Sequence, residues 1–221
     1  MPEFPTARRG PGRPRDLEKR AAHVQAARKL FLQDGFAAVT MEAIAAAAGV
    51  SKMTLYGYFR DKEVVFEAAA AETARALTAD MSKIHAEGGS LAEALCALGR
   101  AILALITRPE LVGVECTLML ASNPGLGRRI YEAGPATTLR AVASVLAEAA
   151  ARGEVGIEAP EAAAEDLLAL WEGDLMRRLR MGIGPSPSED EIDRRVRAKT
   201  ATFLRAYAPG RTAVTAACAG R

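Results

Sequence analysis

Apolar residues recur at helical spacing along most of the chain, and glycine, proline and capping residues mark the breaks between helical segments. The first segment runs from Asp16 to about Asp34 and ends near Gly35. Two short helices are expected next, within residues 40–60, and a long helix from Asp61 to about Glu87 follows them. Few strands are predicted, so the pattern indicates an all-α fold.

The remainder of the chain continues in the same way, and each helix begins at a residue suited to a helix start. Gly134-Pro135 is expected to kink or break one of these helices. The expected bounds are roughly 90–106, 109–121, 124–152, 160–181 and 188–207. The chain is therefore expected to hold about nine helices.

The stretch from Thr40 to Lys62, TMEAIAAAAGVSKMTLYGYFRDK, predicts two helices joined by a tight turn. Thr40 and Ser51 are candidate N-caps, and Gly49 lies where the chain must turn. Leu55 and Phe59 are four residues apart and can pack inward. Packing in this direction leaves a polar face outward, made of Ser51, Lys52, Met53, Thr54 and Tyr56.

This arrangement is typical of a helix-turn-helix, in which the second helix enters the major groove by its N-terminal residues. The alternative is an ordinary helical hairpin in an alanine-rich protein, and the flanking residues favour the DNA-binding interpretation. Asp16 to Ala70, about a quarter of the chain, resembles the DNA-binding domain of TetR-family transcriptional regulators. The matching residues are Ala26, Ala27, Leu30, Phe31, Gly35, Phe36, Thr40, Ile44, Ala45, Ala48, Gly49, Val50, Ser51, Thr54, Leu55, Tyr56, Tyr58, Phe59, Lys62, Glu63 and Phe66.

The resemblance implies three N-terminal helices for DNA, a larger helical C-terminal domain for a ligand, and a homodimer. Thr40 and Lys62 resemble phosphate contacts, and Tyr56 resembles a contact to phosphate or a base edge. Tyr58 could face the DNA backbone or pack inward. The positions that resemble base-edge contacts are Lys52, Met53 and Thr54, beside Ser51.

Gly57 departs from the common pattern, because many relatives carry a larger side chain there that can also touch DNA. Glycine costs about 1 kcal/mol of helix propensity relative to alanine. The recognition helix is therefore expected to be short or loosely ordered without DNA.

The C-terminal part resembles the AefR-like subgroup in two segments, Asn123 to Pro135 and the alanine-rich run ending at Gly153 with the helix that follows it. In the family the last two long helices form a four-helix interface with the partner's pair. The alternative, that the apolar residues of these helices form the domain's own core, stays open. The candidate interface residues are Leu167, Asp174, Arg178, Ile192, Val196 and Phe203.

A ligand pocket, if present, is expected among the helices of the C-terminal part. Methionine is adaptable and suits a pocket for varied apolar ligands, although each candidate taken alone could equally be core. No constellation of charges identifies the ligand. The candidate lining residues are Met81, Leu103, Cys116, Leu118, Met119, Trp171 and Leu175.

The formal net charge is only +2, but it is unevenly distributed. Residues 1–62 hold 11 lysines and arginines against 6 acids, and residues 63–221 hold 18 against 21. The front of the chain therefore carries the positive field that attracts phosphate. Within it, RRGPGRPR at residues 8–15 resembles the core of an AT-hook, and Arg13 and Arg15 are expected to enter a minor groove from an extended arm.

These features divide the chain into a basic arm (1–15), a helix-turn-helix domain (16–60), a helical ligand-binding and dimerisation domain (61–207) and a tail (208–221). No run approaches ~20 apolar residues and no apolar signal core opens the chain, so a cytoplasmic location is expected. Buried, inert thiols are expected at Cys96 and Cys116, although redox sensing is an alternative for either.

An enzyme is not expected. The chain has two histidines and offers no nucleophile–base constellation, phosphate loop or metal-ligand spacing, so no cofactor is predicted. The favoured function is a ligand-responsive repressor that binds a palindromic operator. The alternative is an architectural DNA-binding protein that reads little sequence and takes no effector.

Overall fold

A computed structural model of the protein describes residues 14–120 and 124–210, and within these ranges every regular element is a helix. The all-α prediction is confirmed. None of the described helices combines the length and apolar character that crossing a bilayer requires. The helices are α1 (Pro14–Ala38), α2 (Met41–Ala47), α3 (Lys52–Tyr58), α4 (Lys62–Ala86), α5 (Leu91–Ile106), α6 (Pro109–Leu120), α7 (Pro124–Ala133), α8 (Pro135–Ala151), α9 (Pro160–Glu172), α10 (Leu175–Arg180) and α11 (Glu189–Ala206).

The first helix begins earlier than the sequence predicts. Pro14 opens α1, so Arg15 has a helical backbone and cannot belong to an extended arm. The expectation of an extended backbone at Arg15 is wrong because proline, whose fixed φ suits the first helical turn, starts a helix here instead of preventing one. The contact of Arg15 with a minor groove stays a prediction. The helix is interrupted at Gly35, where φ is 75°, close to the predicted end. Arg13, the rest of the arm and tail residues 211–221 lie outside the described residues.

Two of the predicted long helices are each divided. Gly134-Pro135 separates α7 from α8, as expected, whereas the break between α9 and α10 at Gly173 was not predicted. Gly173 has a φ of 47°, a backbone conformation that residues other than glycine rarely adopt. Arg195 of α11 seals the end of α9, because its Nη2 donates to the carbonyl oxygen of Glu172 at 2.8 Å and its Nε donates to that of Trp171.

The side chains form two hydrophobic cores, and α4 contributes to both. Val65, Phe66 and Ala69 in its first half belong to the core shared with α1 to α3 and with Val114 of α6. Leu77 and Ile84 in its second half pack against the core of α5, α8, α9 and α11. A single 25-residue helix therefore joins the N-terminal unit to the larger C-terminal one.

In the C-terminal core, α5 packs unusually close to α9 and α11. The side chain of Trp171 has no exposed surface, and its Nε1 donates to Thr200 Oγ1 at 3.0 Å. Gly99 lies directly against this indole ring and against Val196. A glycine is required there because two helices pass too close to it for a side chain.

The same core contains four of the residues predicted to face a partner chain. Leu167, Val196 and Phe203 have no exposed surface, and Ile192 is 5% exposed. The interface prediction is wrong for these four, because side chains packed inside their own domain leave no surface for a second chain. Asp174 and Arg178, by contrast, are exposed.

Candidate nucleic-acid interface

The predicted helix-turn-helix is formed by α2 and α3, and local hydrogen bonds fix both starts. Thr40 Oγ1 accepts from the backbone N–H of Ala43 at 3.1 Å and so caps α2. Ser51 Oγ accepts from the backbone N–H of Thr54 at 3.0 Å and so caps α3. Gly49, with a φ of 66°, lies in the turn between the helices. Each capping side chain satisfies one of the N–H groups that a helix start leaves unpaired.

The orientation of α3 separates a buried face from an exposed one. Leu55 and Phe59 are at most 1% exposed and anchor the helix in the core. Two large side chains of the opposite face stand in solvent, Met53 at 81% exposure and Tyr56 at 41%. Ser51, Lys52 and Thr54 are exposed beside them. The five residues predicted to form an outward face on α3 therefore share one surface, called here the reading face.

Most of the polar groups on the reading face already have partners within the protein. Lys52 forms an ion pair with Glu42 of α2, and its Nζ lies 5.8 Å from the centroid of the Tyr56 ring. The hydroxyls of Ser51 and Thr54 are 2.8 Å apart and hydrogen-bonded. The hydrogen bond from Lys52 lowers the pKa of Glu42, and the same contact raises the pKa of Lys52, so both groups are charged at neutral pH.

Lys62 opens α4 but points toward the protein. Its Nζ donates to the carbonyl oxygens of Phe36 at 2.8 Å and Ala37 at 3.4 Å, and it lies 4.4 Å from the centroid of the Phe36 ring. Burial lowers the pKa of Lys62. In this position the ammonium ties α4 to the segment before α2, and its role as a phosphate contact stays a prediction. Asp61 caps the start of α4, because its Oδ1 accepts a hydrogen bond from the backbone N–H of Val64 at 2.9 Å.

Tyr58, which could have faced either way, is half-buried and packs its ring edge-on against His23 of α1, with centroids 5.0 Å apart. Burial and the nearby Lys19 lower the pKa of His23, so the imidazole is neutral at neutral pH. Gly57 lies on the open side of the helix, where a Cβ would meet no atom within 4 Å. The recognition helix is short, as predicted, with seven residues.

A charged contact links α7 of the C-terminal part to the first half of α4, which packs against the helix-turn-helix. Arg129 of α7 lies between two carboxylates of α4, 3.2 Å from Glu63 Oε2 and 3.4 Å from Glu67 Oε2. Sequence reasoning missed Arg129 and the Glu42–Lys52 pair, because each depends on the packing of separate helices. The only local signal was the position of Glu42 in the first turn of α2.

The residues predicted to line a pocket do not share one site. Trp171 and Leu103 have no exposed surface and lie in the C-terminal core, and their role as lining residues stays a prediction. Cys116 is half-buried, with its thiol 3.9 Å from the carbonyl oxygen of Arg180. Leu175 contributes to a cleft of about 260 Å³ beside α10 and the start of α11. The side chains of Met81, Leu118 and Met119 lie outside the described residues.

Two family models match the chain. The model for bacterial regulatory proteins of the tetR family matches residues 24–69, which contain α2 and α3. The model for the C-terminal domain of AefR-like transcriptional repressors matches residues 93–209, more than half of the chain. The chain belongs to the TetR family. Its members are transcriptional regulators that bind DNA and act as dimers, and they are generally not enzymes.

Solved structures of TetR-family proteins resemble the chain over most of its length. A regulator from Mesorhizobium loti is 27% identical, with 89% of this chain and 100% of that one covered and a TM-score of 0.70. The flavonoid-responsive regulator FrrA is 34% identical, with 88% and 99% covered and a TM-score of 0.60. The repressor FadR from Thermus thermophilus, solved with lauroyl-CoA, is 23% identical, with 88% and 97% covered and a TM-score of 0.59, and shows the shared fold. No curated protein matches the chain.

Proposed function

We propose that the protein is a repressor that binds a palindromic operator as a homodimer and leaves it when a small apolar molecule binds in the C-terminal domain. The observation that carries the DNA-binding part is the reading face. It is an exposed surface at the N-terminal end of a short helix whose opposite side is packed into the core by Leu55 and Phe59, and the major groove admits an α-helix. Thr40, the exposed N-cap of α2, is the proposed phosphate contact.

A homodimer would place two recognition helices on one duplex. Successive major grooves on one side of the DNA lie about 34–36 Å apart, so a palindromic operator needs two copies of the reading face. The exposed residues of the last helices support a partner surface there. Asp174 and Arg178 are exposed, and Met181 and Ile183, which follow them, are 70% and 50% exposed. These four residues are called here the α10 surface, and it replaces the four core residues as the proposed interface.

The proposal of an apolar effector rests on relatives. FrrA is flavonoid-responsive, and FadR from Thermus thermophilus was solved in complex with lauroyl-CoA, in which the acyl chain is the apolar part. Helix α4 would couple effector and operator, because it contributes to both cores and is held to α7 by Arg129. A ligand that favours a different position of α7 would change the spacing of the recognition helices.

Selection of bound duplexes from a random pool tests the DNA-binding part directly. The full chain is expected to enrich an inverted repeat with half-sites one helical turn apart. Competition with random DNA then gives the specificity ratio. Near-equal affinity for selected and random DNA would instead favour the architectural alternative, in which the basic arm, with Arg13, binds without reading sequence.

Tyr56→Phe is expected to weaken binding to the selected operator without changing the melting temperature. The substitution removes one exposed hydroxyl and keeps the ring that Lys52 approaches. Loss of one hydrogen bond costs about 1 kcal/mol for each half-site. Titration with labelled operator measures the affinity, and Tyr131→Phe is the matched control, since Tyr131 is 53% exposed on α7. Full affinity in Tyr56→Phe would exclude the hydroxyl as a contact.

Glu42→Gln is expected to make DNA binding more dependent on salt. In the wild type Glu42 pairs with Lys52, so Lys52 displaces few counterions from the DNA phosphates. In the variant this partner is gone, and the Lys52 ammonium of each chain can pair with a phosphate instead. Since each protomer of the proposed homodimer holds one such pair, the slope of log K against log salt should steepen by about 1.8, the value for two additional phosphate contacts.

The control for this variant is Glu87→Gln, which makes the same charge change at the far end of α4, where Glu87 pairs with Lys83. Equal slopes in Glu42→Gln, Glu87→Gln and wild type would show that the Glu42–Lys52 pair does not limit the contact of Lys52 with phosphate.

A further inference from the structure

Met53 is the most exposed large apolar side chain among the described residues, and it lies on the second residue of α3. Its neighbours on the reading face are engaged within the protein. Lys52 is paired with Glu42, and the hydroxyls of Ser51 and Thr54 bond each other. Met53 therefore presents the largest apolar area at the end of the helix that is proposed to enter the groove.

An exposed methionine has little favourable interaction with water, and its flexible thioether side chain adapts to irregular apolar surfaces. The edges of the base pairs in the major groove offer hydrogen-bond donors and acceptors, and one apolar group, the C5-methyl of thymine. The two surfaces are complementary in chemistry. Burying a methyl group between them would give a preference for thymine that no hydrogen bond supplies.

We propose that Met53 reads a thymine in each half-site of the operator through contact with its C5-methyl group. The inference rests on the proposed function and adds the chemical group that α3 recognises. Lys52, held by Glu42, borders the contact on the α2 side, and the Tyr56 ring, 41% exposed, offers further apolar surface on the same face. The protein would thus recognise the half-site by a thymine methyl group as well as by the polar edges of its base pairs.

Replacement of single thymines by deoxyuridine in the selected operator tests the inference, because this change removes only the methyl group and keeps Watson–Crick pairing. One thymine position in each half-site is expected to be sensitive. Its replacement should weaken wild-type binding about fourfold in one half-site and roughly fifteenfold in both, the factors that correspond to burial of one and two methyl groups. Thymines elsewhere in the same duplex serve as controls.

Met53→Ala should remove the sensitivity to deoxyuridine at that position, so that the variant binds both duplexes equally. Met53→Leu, which keeps an apolar side chain of similar size, should retain most of it. The inference is overturned if every thymine of the half-site tolerates deoxyuridine, or if Met53→Ala remains as sensitive as wild type. Failure of the proposed function looks different, because the wild type would then enrich no sequence at all.

Discussion

Gly99→Ala is expected to destabilise the protein by about 2 to 3 kcal/mol, near the upper part of the range for overpacking a core. A Cβ on Gly99 would lie 2.8 Å from both Trp171 Cε2 and Val196 Cγ1, closer than carbon atoms normally approach. Neither neighbour can easily withdraw, since both have no exposed surface and the hydrogen bond to Thr200 holds the indole. For a chain of this size the melting temperature should fall by about 5 to 10 °C.

The matched control is Gly127→Ala in α7, where a Cβ would meet no atom within 4 Å. Here the helix propensity of alanine is the main change, and a gain of up to about 1 kcal/mol is expected. Thermal melts of both variants at one protein concentration measure the difference. A Gly99→Ala variant as stable as Gly127→Ala would contradict the close approach of α5 to α9 and α11.

A double-mutant cycle assigns the clash to its partner. Trp171→Phe removes the Cε2 and Cζ2 atoms of the indole, which are the atoms of Trp171 that lie closest to the added Cβ. In that background the cost of Gly99→Ala should be clearly smaller than in the wild type, with a coupling of at least about 0.5 kcal/mol. Additive effects would show that Val196 alone determines the need for glycine.

Helix starts that a side chain caps could be predicted from the sequence because their causes are local. Thr40 and Ser51 accept hydrogen bonds from N–H groups three residues ahead. Ser90 and Ser188 do the same within capping boxes completed by Glu93 and Glu191. The spacing of a cap and its partner is fixed by helix geometry, so the sequence alone suffices.

The break at Gly173 could not be predicted because its cause is not local. The apolar spacing continues through Trp171, Leu175 and Leu179, and a single glycine inside such a pattern does not by itself end a helix. The end of α9 is stabilised by Arg195, which reaches its last carbonyl groups from another helix. The position of that guanidinium depends on the packing of α11, which the spacing of residues does not reveal.

In the candidate site, too, features with local causes could be predicted and features that depend on packing between helices could not. The outward direction of Met53 and Tyr56 follows from the spacing of Leu55 and Phe59, so the reading face could be predicted. The pairing of Lys52 with Glu42, and the inward position of Lys62, depend on distances between helices. Periodicity also could not separate a core from a partner interface, because both bury apolar residues, and four residues of the last helices were therefore misassigned.

Replacing Met181 and Ile183 together by aspartate is expected to convert the protein to a monomer and to weaken operator binding by at least about 100-fold. Loss of the partner removes the gain from binding two linked half-sites, which commonly amounts to 10²–10⁴. The chain itself should fold normally, since both side chains are at least half exposed and the substitutions remove little of its core. Sedimentation equilibrium measures the oligomeric state, and circular dichroism checks the helical content.

A control variant tests whether the effect is specific to the α10 surface or would follow from an aspartate at any exposed apolar residue. Tyr131→Asp, at a residue 53% exposed on α7, introduces an aspartate at an exposed position of a different helix and should leave a dimer with full operator affinity. The α10 surface is excluded as the interface if the double variant remains a dimer. If it becomes a monomer that binds the operator as tightly as wild type, then the two half-sites are not read together, and the need for a symmetric pair of recognition helices disappears.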